Sequence, residues 1–462
     1  MIPDIDPRRL LGHIEAFARI GGGADGGVTR EGFGEADLEA CARLRGEARL
    51  AGLEASVDAA GNLLIRRPGR GRDAGDGSGR ESAASSDSGR ERDAGGGPGR
   101  ERDAENRPGR ENAVSSGSGE GTAPGSRPVL LIGSHLDTVV NGGRLDGAYG
   151  VLAGLEVMRT IVESGAEPAY EPVLVAFANE EGALFPQPFW GSKVLAGALE
   201  TLPGDPRDHT GRSLRGPLAR AGGDLSALST AVWPAGSVAA YLELHVEQGP
   251  VLERGRETIG VVDSITGRTQ FTVEVRGSAG HAGTTPMELR RDPVAAAARI
   301  VLAAEEIARE RRLCRVATVG WVEVQPNSPN TIAGGVRLTV DLRDSDPRNL
   351  ENAEEALRVS LASLAKQGGV DIDVRVDARA APVHTDPAIR AAIEASAGEL
   401  GLAHRTLPSG AGHDAQIVAR IAPIGMIFVP SVGGLSHVPE EDTGPADLVA
   451  GARVLLRTVL RL

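Results

Sequence analysis

The chain has 462 residues, long enough for two or three domains with cores of their own. Hydrophobic residues make up 40% and aromatic ones only 3%, so those cores are built from Ala, Val, Leu and Ile. A formal net charge of −13 argues against nucleic acid or an anionic membrane surface as the main partner.

The first six residues, Met1 to Asp6, hold neither a basic cluster nor an apolar segment, and no run of about 18 apolar residues occurs anywhere. A cytoplasmic protein without a membrane span is expected. Periodicity predicts helices over Arg9 to Ile20 and Glu35 to Ala51, then strands over Leu53 to Val57 and Asn62 to Arg66. Cys41 and Cys314 lie far apart in apolar settings, which excludes a disulfide framework and fits a reducing compartment.

The composition then changes. Gly-Arg recurs at 69, 79, 89, 99 and 109, and Val114 is the only large aliphatic residue between Pro68 and Pro128. A solenoid repeat needs an apolar face to stack, and this one has none. Residues 68–127 are therefore expected to be a disordered surface insert between two strands, without a catalytic role.

Order resumes with a strand from Val129 to His135, a helix from about Gly150 to Ser164, a strand from Val173 to Ala178 and another from Ala239 to Val246. Alternating strands and helices with motifs at strand ends predict an α/β sheet with its site along one edge. From Val262 to Ala378 the order becomes strand, helix, two strands, helix, strand, the βαββαβ pattern of a ferredoxin-like sandwich. Its first helix starts with Asp292 as N-cap and Pro293 at the first helical position. The α/β rhythm returns after Asp386 and includes the strand Ile424 to Val429. The domains expected are 1–67 with 128–261 and 379–462, and an inserted unit at 262–378.

Five residues at strand ends or in loops have ligand chemistry: His135, Asp146, Glu181, His245 and His437. Three imidazoles and two carboxylates suit two divalent ions such as zinc or manganese. Asp146, in the Gly-rich turn after Asn141-Gly142-Gly143, is the natural bridge between them. In Gly133-Ser134-His135-Leu136-Asp137-Thr138, strand alternation points Asp137 the same way as His135, where its carboxylate would fix the imidazole tautomer. Taken alone, His-x-Asp is equally a strand-end imidazole with an Asx turn after it. Glu180 and Glu181 face different ways in an extended segment, so one can bind metal while the other stays free as a base. In isolation such a pair is a solvated turn, but here it follows an apolar strand.

These segments resemble the binuclear-metal amidohydrolases that include aminoacylases and dimeric carboxypeptidases. They are most similar to the hydantoinase/carbamoylase branch of allantoate amidohydrolases, ureidopropionases and N-carbamoyl-L-amino acid hydrolases. The resemblance rests on Gly133 to Thr138, Asn179-Glu180-Glu181-Gly182, Glu243 to Pro250, Gly280 to Met287, Ser409 to Ala415 and Ser436-His437, and covers nearly all of the chain outside 68–127.

The resemblance implies a metallopeptidase-type α/β catalytic domain with a mixed sheet and a ferredoxin-like lid through which two chains form a homodimer. It implies that His135 and His245 hold one metal, Glu181 and His437 the other, that Asp146 bridges and that Glu180 is the general base. Cobalt or nickel would suit the same donors as zinc or manganese. Substrate roles fall to Gln248, His281, Asn330 and Arg343, with His281 also stabilising the oxyanion, commonly from the partner subunit. Ser409, Gly410 and His413 would contribute to the substrate pocket, with His413 and Asp414 at its rim. Without the family, Arg343 is equally an ion-pair partner of Asp341 or Asp344. The activity implied is hydrolysis of a linear ureido carboxylate in nitrogen catabolism. Glu181 to Pro186, Phe189 to Lys193 and Thr138 to Gly143 favour allantoate over an N-carbamoyl-L-amino acid. A dipeptidase or deacylase on the same scaffold is the further alternative.

Overall fold

The computed structural model of the protein describes residues 3–69, 127–199 and 204–462. Nearly all of the repeat insert expected to be disordered, residues 70–126, lies outside the described residues. Strands β1 (Glu54–Val57), β2 (Leu63–Arg66), β3 (Val129–His135), β4 (Glu171–Phe177), β5 (Val238–Val246) and β6 (Ile259–Ile265) enter one large sheet. The chain then builds β7 (Gly267–Arg276), β8 (Gly280–His281), β9 (Val316–Thr318), β10 (Val322–Gln325), β11 (Thr331–Ile332), β12 (Gly335–Asp344) and β13 (Asp371–Ala380) away from that sheet. It returns with β14 (Val383–His384), β15 (His404–Ser409) and β16 (Ile424–Val429).

The large sheet is mixed, in the order β1-β2-β4-β3-β5-β16-β6-β14, with β15 also paired to β6. Its centre, β4-β3-β5-β16, is parallel throughout. Alternation along these strands feeds two apolar layers. Leu130, Ile132 and Leu174 join one layer with helices Pro7–Ala18, Ala148–Ser164 and Pro445–Arg461. Leu131, Val173, Val175 and Phe428 join the other. Burial on both faces explains why these strands read as continuous apolar runs. Asp-Pro starts set four helices: Asp6, Asp292, Asp346 and Asp386 each cap a helix whose next residue is proline. No described helix is long and apolar enough to cross a membrane.

The second sheet is antiparallel, in the order β10-β12-β7-β13, with β9 also paired to β12. Helices Pro293–Arg309 and Pro347–Gly368 cover one face, over a separate core that includes Phe271, Val273, Ile300, Leu338 and Leu357. Alternate residues of β7 are buried and half-exposed, so the opposite face is solvated. This is the βαββαβ arrangement read from the sequence, with three differences. The single strand expected over Arg315 to Val324 is split into β9 and β10 around Gly320. Strand β6 stays in the large sheet to Ile265, so the boundary drawn at Val262 falls inside a strand. Strands β14 and β15, the latter exposed over its first three residues, were not expected.

Candidate metal centre

The carboxyl ends of the parallel strands deliver the expected residues to one place, the crevice where open α/β sheets bind ligands. His135 is the last residue of β3, and His245 is the penultimate residue of β5. Glu180 and Glu181 follow β4, and His437 lies in the loop after β16. Asp146 comes just before helix Ala148–Ser164, and Gly147 makes its approach feasible. Gly147 has φ of 63°, and a Cβ there would sit 2.4 Å from the His135 ring.

Asp146 stands at the centre. Its Oδ1 is 3.1 Å from His245 Nε2 and 3.8 Å from His135 Nε2, and its Oδ2 is 3.0 Å from His437 Nε2. His437 Nε2 is 3.6 Å from Glu181 Oε1, and Glu180 Oε2 is 3.7 Å from His135 Nε2. Four groups among the described residues have ligand atoms within 4.8 Å of one another: Glu243–His245–His413, His135–Glu180–Glu181, and the two central ones, His135–Asp146–His245 and Asp146–Glu181–His437. The two central groups have Asp146 in common. The Nδ1 atoms of His135 and His245 each lie 2.9 Å from a backbone carbonyl, of Asp137 and Val246. Donation to those carbonyls turns both Nε2 atoms toward the cluster, the orientation a cation requires, and the Gly147 N–H donates to that of His245 at 3.1 Å.

The charges also favour a cation. Burial opposes ionisation of Asp146, but hydrogen bonds to His245 and His437 hold its carboxyl well below the usual range. Against burial, the same contact holds His245 up at about 9. Contact with Asp146 raises His437 to about 9 as well. Burial and the Asp146 charge push Glu181 up to about 8. Burial, then the neighbouring Glu181, raises Glu180 well above the carboxylate range. Carboxylates packed this closely call for positive charge, which divalent cations could provide. The nitrogen and oxygen donors, mostly buried and turned inward, fit such ions.

Asp137 differs from expectation. Its carboxylate accepts the backbone N–H groups of Glu180 and Glu181, both at 3.1 Å, while its backbone carbonyl faces His135. The Asp137 carboxylate oxygen is 3.8 Å from His135 Nδ1, beyond hydrogen-bond reach. Gln248 Nε2 donates to Asp146 Oδ2 at 2.9 Å. His413 and Asp414 are not on a rim: both are buried, with the His413 ring centroid 4.7 Å from that of His245 and its Nε2 2.8 Å from Ser409 Oγ. Arg343 donates to Asp341 at 2.8 Å and to the Gly410 carbonyl at 2.7 Å, which links the second sheet to the Ser409–Gly412 loop. His281 and Asn330 are exposed on the small β8–β11 ribbon, where Ala282 N–H donates to the Asn330 carbonyl. Neither belongs to the ligand groups found among the described residues.

Two buried carboxylates near the centre were missed. Glu441 accepts the N–H groups of Leu145 and Asp146 and the Ser436 hydroxyl. Glu243 accepts from Ser134 Oγ and the Ala415 N–H, joining β5 to β3 and to the segment after His413. An acid two residues before His245 on an apolar strand was a readable signal for Glu243. For Glu441 the signal was an acidic pair just past His437.

Residues 131–461 match peptidase family M20/M25/M40. An N-carbamoyl-L-amino acid amidohydrolase of Geobacillus stearothermophilus is 36% identical over 458 residues, covering 99% of each chain. An allantoate amidohydrolase of Bacillus subtilis (strain 168) is 32% identical over 458 residues, covering 98% of this chain and 97% of that protein. The crystal structure of a hydantoinase/carbamoylase family amidase from Burkholderia multivorans is similar with a TM-score of 0.82 at 33% identity, covering 100% of this chain and 98% of that one. Sequence match and fold agree along the length of the chain, which belongs to peptidase family M20/M25/M40, a family of metal-dependent hydrolases.

Proposed function

We propose that the protein hydrolyses the ureido C–N bond of a linear ureido carboxylate, with allantoate as the favoured substrate. The observation that carries this reading is the pair of ligand groups meeting at Asp146, with Glu180 beside them. Divalent cations held by these residues, such as zinc or manganese, would supply Lewis acidity and lower the pKa of a nearby water.

Glu180 takes a proton from the attacking water as the water's oxygen bonds to the carbamoyl carbon. On collapse, the bond to the substrate amine nitrogen breaks and Glu180 returns the proton to that nitrogen. The released carbamate decomposes to carbon dioxide and ammonia. Asp137 keeps Glu180 and Glu181 in register through their backbone N–H groups. Arg343, beside Gly410, is suited to the substrate carboxylate, and Gln248, Asn330, Ser409 and His413 complete the pocket.

Residues 262–378 serve in this proposal as lid and dimerisation unit, and their exposed edge strand β13 offers a partner for a second copy. His281 and Asn330, on a ribbon exposed in the single chain, then serve the partner's site, with His281 at the developing oxyanion. A role in nitrogen catabolism follows from the substrate class, and the proposal places it in the cytoplasm.

The relatives bear both substrate names, so N-carbamoyl-L-amino acids are the second reading. The resemblance of Glu181 to Pro186 and Phe189 to Lys193 to allantoate enzymes favours allantoate, and Phe189 abuts Gly412 beside the Ser409–Gly412 loop. The test is ammonia release from allantoate, N-carbamoyl-methionine and N-acetyl-methionine, with zinc, manganese or cobalt restored to chelator-treated protein. Allantoate is expected to turn over fastest. Glu180→Gln should keep its metal and lose about 10²–10⁴-fold in kcat. Cleavage of N-acetyl-methionine with no ammonia from either ureido compound would overturn the proposal.

A further inference from the structure

Arg30 is a fully buried guanidinium in the amino-terminal segment, outside the residues that match the family. A buried cation is costly unless its donors are satisfied, so its partners show what it is for. Arg30 Nε donates to the Leu136 carbonyl, and Nη1 donates to the Phe17 and Ile20 carbonyls at 3.1 and 3.2 Å. The backbone adds to this hold. Arg30 N–H donates to Thr138 Oγ1, Thr138 N–H donates to the Arg30 carbonyl, both at 2.9 Å, and Thr138 Oγ1 donates to the Val28 carbonyl at 3.2 Å.

The same segment also touches the loop of the expected base. Gly32 lies so close to Asn179 that a Cβ would sit 2.7 Å from the Asn179 Cα. Residues 28–32 thus lie against both the loop after β3 and the loop after β4. Within the first of these loops is Asp137, whose carbonyl receives the His135 Nδ1–H and whose carboxylate receives the N–H groups of Glu180 and Glu181.

We propose that Arg30 is a positioning residue for the metal centre: by fixing the backbone of residues 136–138 it sets His135 and, through Asp137, the placement of Glu180 and Glu181. The inference rests on the metal-centre reading above. A purely structural arginine would lower thermal stability when replaced and leave cation affinity and turnover alone.

Two variants of the full chain separate these roles. Arg30→Lys keeps the charge and loses the fork, and Thr138→Val keeps Arg30 and the side-chain shape while removing both hydroxyl bonds. Each is compared with the parent for cobalt(II) affinity by chelator competition, for the visible spectrum of the cobalt form, and for kcat, KM and Tm. Residues that orient metal ligands are worth about 10–100-fold in affinity or activity. The expected result is a loss of that size in cobalt affinity or kcat, with KM changed less than threefold. Losses smaller than tenfold in both quantities overturn the inference, whatever happens to Tm. If Arg30→Lys does not fold, Thr138→Val alone decides. A parent that binds no cobalt instead overturns the metal-centre reading itself.

Discussion

Glu441 holds Asp146 by its backbone: Oε1 accepts the Asp146 N–H at 3.0 Å, while Oε2 accepts the Ser436 hydroxyl at 2.7 Å. One buried carboxylate thereby joins the turn that carries the shared aspartate to the loop that carries His437. Glu441→Ala leaves buried N–H groups without an acceptor, a cost of about 1–3 kcal/mol. It should also lower cation affinity about 10–100-fold, since residues that orient ligands have effects of that size. Urea denaturation of the apo-protein and chelator competition measure the two effects separately. Unchanged affinity would leave Glu441 with a folding role only.

Gly147→Ala should be far more damaging than an ordinary glycine replacement. At φ 63° and ψ −52° Gly147 lies outside the left-handed helical well, so an alanine there is strained by more than the about 1–2 kcal/mol of that well, and the new methyl would also press on the His135 ring. Gly165, at the other end of the same helix, has φ of 66° and nothing within 4 Å of a would-be Cβ. Gly165→Ala therefore carries the backbone cost alone. The expected outcome is greater backbone strain at Gly147 than at Gly165, with cation binding lost only at Gly147. Equal cation affinity in the two variants would show that His135 yields without cost.

The cysteines should resist alkylation in the native protein. Burial, reinforced by Asp344, pushes the Cys314 thiol up to about 11. Burial and Asp37 raise Cys41 well above the usual thiol range. At pH 8 the thiolate fraction of Cys314 is about 100-fold below that of an ordinary thiol. A raised folded-state value means that the thiol's contribution to stability is present below about pH 9 and falls as pH rises through 11. Iodoacetamide with mass detection at pH 8 should label neither residue until the chain is unfolded. Rapid labelling of the native protein would contradict the burial.

Much of the site was legible because its ligands follow apolar strands or sit in glycine-rich turns, which are local patterns. Asp137 was misassigned because β3 ends at His135, so strand alternation does not extend to it. The backbone carbonyl of residue 137, rather than its side chain, meets the imidazole. His413 sits in a glycine-rich stretch that reads as surface, and only the rings of His245 and Phe428 reveal that it is covered. Arg343 and Asp341 lie two apart on one face of β12, so their pairing was available from alternation alone. Glu441 and Arg30 act on segments remote in sequence, through backbone atoms that no residue pattern records. The solvated face of the second sheet was visible in β7, but the break at Gly320 depends on how β9 and β10 each meet β12.

The strand order β4-β3-β5-β16 sets one of the last-made strands directly beside one completed before the second sheet begins. On the ribosome, a chain that has emerged only through β13 already contains His135, Asp146, Glu181 and His245. It still lacks β16 and the His437 loop. The group formed by Asp146, Glu181 and His437 comes into being only when the final stretch docks, so its maturation belongs to the end of synthesis. A chain cut short after the second sheet would keep the residues of the first ligand group and have no means of assembling the second.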